Sequence, residues 1–213
     1  MFADDNVERA LAGENCISQL PDDELERMVG QNIVRVKKDK SGSGSLELID
    51  SPDDVVHLVG RAGTLDLVEE FGIDERIAKT FDRVTHLGIA AGLEALKDAQ
   101  LPLVRRWKET TTGSKLPNGW MLPEHEQEET GVIFASAFAG MDSLLKEVYA
   151  KQQMGDEYRY DRMFLMKLCN HAHGQLAQLI GARGPNTVVN SACASTTLAM
   201  SIAQDWINAG RCK

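Results

Sequence analysis

The sequence has no run of roughly 18 consecutive apolar residues, the length a membrane-spanning helix needs. Its start, MFADDNVERA, lacks the basic stretch followed by an apolar one that marks a secretory leader. These absences point to a protein that is neither membrane-spanning nor secreted, and the expectation is a cytoplasmic one. Paired cysteines are missing as well. Cys16, Cys169, Cys193 and Cys212 lie far apart, with no CxxC pair and no histidine at zinc-ligand spacing. A disulfide framework and a structural metal are both disfavoured, so any cysteine chemistry is that of a single thiol. Basic excess is missing too: a net charge of −9 opposes the phosphate neutralisation that general nucleic-acid binding requires. Two local exceptions, Lys37, Lys38 and Lys40 and then Arg105, Arg106 and Lys108, read as solvated loops.

What is there is an ordinary globular chain of 213 residues, 43% hydrophobic and 26% charged, long enough to bury a core. Residues 5–13 read as a short helix capped by Asp4 or Asp5 and ended by Gly13, and residues 22–29 as another. Strand-like runs at 32–37 and 45–50, joined through Gly42 and Gly44, predict a surface hairpin. Ser51 and Pro52 look like the cap and first residue of a helix over 51–59. The clearest helix is 80–99, where Val84, Leu87, Ala91, Leu93 and Ala95 recur among small residues suited to close packing on both sides. Residues 102–129 show no sustained period and read as a long insertion-like loop, with Trp107, Trp120 and Met121 packing it onto the body.

The second half of the chain alternates strand and helix. Residues 130–137 read as a buried strand running into a glycine-containing loop, 162–182 as one helix or a pair closing at Gly181, and 182–186 as a turn. A strand over 187–192 and a buried helix over 196–210 follow. Cys193 falls between these last two. At that position the unpaired N–H groups and positive end of the helix favour thiolate over the ordinary thiol, whose pKa is about 8.5. The same groups suit the oxyanion of an attacked thioester. The small residues Ser191, Ala192, Ala194 and Ser195 leave room for a substrate chain. The local pattern leaves open, with comparable weight, a buried structural cysteine.

The segment VNSACAST resembles the active-site motif of β-ketoacyl synthases, in which the cysteine lies among small residues after a strand and before a long buried helix. Three further segments match in order. FDRVTHLGIAAGLEALKDAQL is similar to the family's early helix with its D-R and A-L-x-D-A-x-L features. TGVIFASAFAGMDS is similar to the G-V-I-x-G-T-G-x-G-G strand and loop. NHAHGQLAQLIGARGPN is similar to the run that precedes the cysteine.

The resemblance implies an α/β chain with the thiolase-like five-layer αβαβα fold. Residues 1–213 would form an incomplete ketosynthase domain, its N-terminal half without the opening strand, since LAGENCIS matches a stretch that follows that strand. The half bearing two catalytic histidines and a lysine would lie downstream, in a larger fatty-acid or polyketide synthase. His171 and His173 precede the cysteine and are expected to pack or meet solvent rather than replace those histidines.

The implied activity is acyl transfer to Cys193, nucleophile and backbone oxyanion donor, followed by decarboxylative condensation with a malonyl thioester. That second step needs the missing half, so residues 1–213 alone are expected to be inactive. No cofactor is implied, the acyl groups arriving on the phosphopantetheine of an acyl carrier protein or on coenzyme A. The implied partners are acyl carrier protein, the rest of the domain, and a second copy meeting strand 187–192 in a homodimer; no nucleic acid and no membrane are expected. Phe138 and Ala139 stand where the family more often has a small aliphatic residue and a glycine, which makes Phe138 a candidate gate of the acyl pocket, with a core aromatic as the alternative. Two rival readings are a non-catalytic ketosynthase-like or chain-length partner, a class that usually lacks the cysteine, and a thiolase-fold acyltransferase that does not decarboxylate. Nothing resembles a papain-like or caspase-like protease motif.

Overall fold

The computed structural model describes residues 3–61, 63–160, 162–167 and 171–213, and the chain divides into two compact units, 1–64 and 65–213. Cys169 lies outside the described residues.

The first unit begins with α1, Ala3–Leu11. Asp4 and Asp5 therefore stand inside the helix rather than before it, while Gly13 takes φ +80 just beyond its end. β1, Ile17–Gln19, and α2, Asp22–Val29, follow, then the hairpin β2, Val34–Lys38, and β3, Gly44–Leu48, paired Val34 to Leu48 and Val36 to Leu46. Of the two glycines expected to permit the turn, only Gly42 has positive φ; Gly44 already belongs to β3. Asp39 holds the turn by accepting from the N–H groups of Ser41 and Ser43, each at 2.9 Å.

The helix expected over 51–59 is a correction. Ser51 does accept from Asp53 N, at 3.3 Å, but it starts a single 3-10 turn, Pro52–Asp54. The chain then extends into β4, Leu58–Gly60, antiparallel to β1. Valines at 55 and 56 favour extended backbone, and Val55 is buried with Leu20, Leu25 and Ile49 in this unit's own small core.

The second unit contains the larger core. Two short helices, α3, Leu67–Phe71, and α4, Glu75–Ala78, are capped by Asp66 and Asp74. They lead into α5, Arg83–Asp98, whose N-cap Asp82 accepts from Thr85 N at 2.9 Å. The buried face of α5 is Thr85, Ile89 and Ala90, with Leu93 and Leu96 beside it. Leu87, Ala91 and Ala95 face solvent, so close packing occurs on one side only.

Residues 102–129, expected as a loop, have regular structure of their own. β5, Val104–Glu109, and β6, Lys115–Met121, form an antiparallel hairpin with an irregularity between Arg105 and Trp107, and α6, Glu124–Gln127, follows. The tryptophans do not anchor it. Trp107 is 53% exposed, and the Arg105 guanidinium lies 5.6 Å from the Trp107 ring and 5.5 Å from that of Trp120, a cation–π arrangement. The anchor is Leu122, fully buried, whose N–H donates to Ile180 O at 2.7 Å.

β7, Val132–Ala135, is followed by α7, Met141–Met154. A 3-10 stretch, Arg162–Lys167, and α8, Ala172–Ile180, account for the expected pair of helices, with Gly181 at φ +74 closing the second. β8, Asn186–Val189, pairs parallel with β7, and α9, Ser195–Asn208, follows it. This is a strand, helix, parallel strand, helix succession, as the alternating pattern predicts. Leu67, Ile73, Phe81, Ile89, Leu122, Val132, Leu176 and Ile180 make one core around it.

Two glycines of α5 permit close approach. A Cβ at Gly88 would fall 2.1 Å from the Phe134 ring and one at Gly92 2.6 Å from Leu176. Within residues 1–213 the last helix is covered on one face only: the sheet meets the side bearing Ile202 and Trp206, while Leu198, Met200 and Ile207 of α9 are exposed. Among the described residues no helix is long and apolar enough to cross a membrane.

Candidate active site

β8 ends at Val189, earlier than the expected 192, and α9 begins at Ser195. Cys193 therefore sits in a separate turn, two residues before the first helical residue. A network of short polar bonds shapes that turn. Ser195 Oγ accepts from Ser191 N at 2.8 Å and donates to Ala192 O at 2.7 Å, so one buried hydroxyl ties both sides of the turn to the start of α9. Ala194 N donates to Ser191 O at 3.0 Å and Ser195 N to Ala192 O at 3.2 Å.

Ala192 takes φ +47, a left-handed conformation that an alanine adopts only where its surroundings impose it. The bonds of Ser195 and the 3.2 Å bond from Ala192 N to Asn190 Oδ1 impose it here. The result presents Cys193 to solvent. The two N–H groups after Cys193 are spent on the turn, which leaves the cysteine's own N–H as the candidate oxyanion donor. No acidic residue stands in the first turn of α9 to offset its positive end.

Phe138 lies in the loop between β7 and α7 and is 69% exposed within this chain. Two hydrogen bonds join its loop to the cysteine turn: Ser136 N to Val189 O and Asn190 Nδ2 to Ala137 O, both 3.3 Å. The structure thus brings the two segments together, Phe138 next to one anchor and Cys193 three residues beyond the other. His171 is exposed at the start of α8 and His173 is partly buried within it. Neither belongs to the 190–195 turn.

Sequence reasoning missed two residues that shape this region, Asp82 and Asn190. An aspartate directly before a helical run is a recognisable cap. Its second contact, to Gly140 N at 2.5 Å, spans 58 positions and leaves no local trace.

The chain as a whole is similar to known proteins. Residues 3–213 match the model of the "Beta-ketoacyl synthase, N-terminal domain". A 3-oxoacyl-[acyl-carrier-protein] synthase 2 of Staphylococcus aureus (strain MRSA252) is 27% identical over 194 residues, 90% of this chain and 40% of that protein. Another protein of that name from Staphylococcus aureus is 30% identical over 162 residues, 75% of this chain and 34% of its own length. One from Synechocystis sp. is 24% identical over 174 residues, covering 82% of this chain and 37% of the relative. Among solved structures, the ishigamide ketosynthase/chain length factor superposes with a TM-score of 0.52 at 18% identity, over 89% of this chain and 45% of that one. The chain therefore spans 40% or less of the length of these three curated relatives.

Proposed function

The chain belongs to the β-ketoacyl synthase family, matching that family's N-terminal domain, and from this premise we propose that it carries the acyl-accepting half of a condensing enzyme with Cys193 as nucleophile. The observation that carries the reading is the exposed Cys193 in a turn held by Ser195, with Ala192 in the left-handed region beside it. A residue kept in a costly conformation by hydrogen bonds that over-determine it is a feature of functional sites.

In the first step the Cys193 thiolate attacks the carbonyl of an acyl thioester. The oxyanion is met by the N–H of Cys193, the carrier's thiolate departs with the electrons of the broken C–S bond, and the acyl group remains on Sγ. In the second, a malonyl thioester loses carbon dioxide and the resulting carbanion attacks the acyl-cysteine carbonyl, returning Cys193 to thiolate. Residues 1–213 supply the first step. The groups that assist decarboxylation belong to the remainder of the domain, which would complete the five-layer fold and cover the exposed face of α9 with Leu198, Met200 and Ile207.

The partners follow from this reading. Acyl carrier protein, or coenzyme A, delivers the chains on phosphopantetheine, and the chemistry calls for no further cofactor. β8 pairs with β7 along one edge and, among the described residues, with no strand along the other. An open edge invites a second copy, which supports a homodimer through 187–192. The likeness to a ketosynthase/chain length factor is compatible with a second reading, a non-catalytic chain-length partner, but the exposed cysteine favours catalysis.

The test is acyl loading by the protein containing the whole domain. Cys193→Ala should abolish transfer from acyl thioester to protein, whereas Cys16→Ala and Cys212→Ala should leave it. Loading that survives Cys193→Ala would end the proposal.

A further inference from the structure

We infer that Asp82 is a positioning residue for the acyl pocket: its buried carboxyl fixes the 136–140 loop, and Phe138 with it, relative to the Cys193 turn. This rests on the reading of that loop as a wall of the acyl pocket. Asp82 is only 7% exposed. Its Oδ1 accepts from Thr85 N at 2.9 Å, the bond an aspartate makes when it caps a helix. Capping uses one oxygen. The other, Oδ2, accepts from the buried Gly140 N, 58 positions along the chain, a bond that the start of α5 does not require.

Gly140 is the residue from which α7 starts, and its φ of +81 sets the direction in which the chain leaves the loop. At the loop's other end Ser136 is bonded to Val189 and Ala137 to Asn190. Phe138 therefore stands between two tethers, one to the cysteine turn and one to Asp82. Ala139 beside it is buried, while the Phe138 ring projects into solvent. A short span fixed at both ends has few conformations. Freed at one end, it gains conformational entropy and opens on its own, and a displacement of about 1 Å near a reacting centre can change rates on the order of 100-fold. Asp82 would thereby set which acyl chain lengths reach Cys193 without touching the acyl group.

The experiment compares Asp82→Ser, Asp82→Asn and Phe138→Ala with the parent protein carrying the complete domain. Serine caps a helix about as well as aspartate but is too short to offer a second oxygen to Gly140. Asparagine keeps the volume and puts a donor where one of the two acceptors stood. Two readouts are taken: the ratio of Cys193 loading rates for short and long acyl thioesters, and amide hydrogen exchange of 83–98 and 136–141. For both Asp82 variants the loading ratio should move by about tenfold or more, in the same direction as for Phe138→Ala. Exchange over 136–141 should quicken by about tenfold while 83–98 stays protected in Asp82→Ser. An unchanged ratio in both Asp82 variants, with a changed one in Phe138→Ala, overturns the role of Asp82 and leaves the pocket reading standing. Equal loss of protection in 83–98 and 136–141 reduces Asp82 to a helix cap and overturns the inference too. No change in any of the three variants removes the pocket reading and this inference with it.

Discussion

Gly88 sits inside α5, where a glycine costs the helix roughly 1 kcal/mol relative to alanine. On a solvent-facing position Gly88→Ala would therefore stabilise the protein. Here the added methyl would lie 2.1 Å from both Cε2 and Cζ of Phe134, against a comfortable carbon–carbon separation of about 3.6 Å. The Phe134 ring, buried on β7, would have to move by about 1.5 Å. Displacement on that scale places the overpacking cost near the top of its range, about 3 kcal/mol. Setting the gain in helix propensity against it leaves a net destabilisation of about 2 kcal/mol. For a unit the size of residues 65–213 this corresponds to a melting temperature lower by about 4–8 °C. The assay is thermal unfolding of the parent, Gly88→Ala, Phe134→Leu and the double variant. Removing the ring should relieve the clash, giving a coupling energy of about 1–3 kcal/mol between the two positions. A Gly88→Ala protein that melts at or above the parent temperature, or a cycle without coupling, would refute the close packing of α5 on β7. Because Phe134 lies two residues before Ser136, the same variant should also load acyl groups more slowly.

Gly184→Ala should be at least as damaging, because its methyl would meet the Thr130 carbonyl oxygen at 2.5 Å, a backbone atom that cannot rotate away; a melting temperature within about 2 °C of the parent would contradict this. Phe138→Ala should leave stability within about 0.5 kcal/mol, as befits an exposed side chain, yet shift the acyl-length profile more than about tenfold, since each buried methylene contributes about 0.8 kcal/mol. An unchanged profile measured across a series of acyl thioesters would make Phe138 a surface residue only. Glu47 is held below the ordinary carboxylate range chiefly by its hydrogen bond from Arg35. A depressed carboxylate contributes stability that is present above its unfolded pKa and is lost as pH falls through the folded one. Arg35→Gln should therefore flatten the acid side of the stability curve slightly, by an amount kept small by exposure, and identical pH dependence in unfolding titrations of the two proteins would contradict it.

Local signals carried much of the fold. The α5 and α9 helices, the β2–β3 hairpin and the β7 and β8 strands all announce themselves through periodicity and punctuating glycines. What escaped was set by distant partners. Residues 51–59 have a good cap and a proline at the right place, yet Val55 gains more from burial with Leu20, Leu25 and Ile49 than from a second helical turn. The hairpin at 102–129 is fixed where Leu122 enters the core beside Ile180, and its irregular register hides the alternation that would mark its strands. The site divides in the same way. The place of Cys193 between strand and helix was legible as a local pattern, while its candidacy as nucleophile came from the resemblance of VNSACAST to the family's motif. The left-handed Ala192, the bridging Ser195 and the two-ended grip of Asp82 arise from the folded geometry.

The most direct test is to incubate the protein carrying the complete domain with an acyl thioester, quench at low pH, and locate the acyl group by peptide mass mapping. The account predicts a single acyl adduct on Cys193, discharged by a malonyl thioester with release of the extended product. An adduct on Cys16 or Cys212, or none on Cys193 under conditions where iodoacetamide alkylates it, would contradict it.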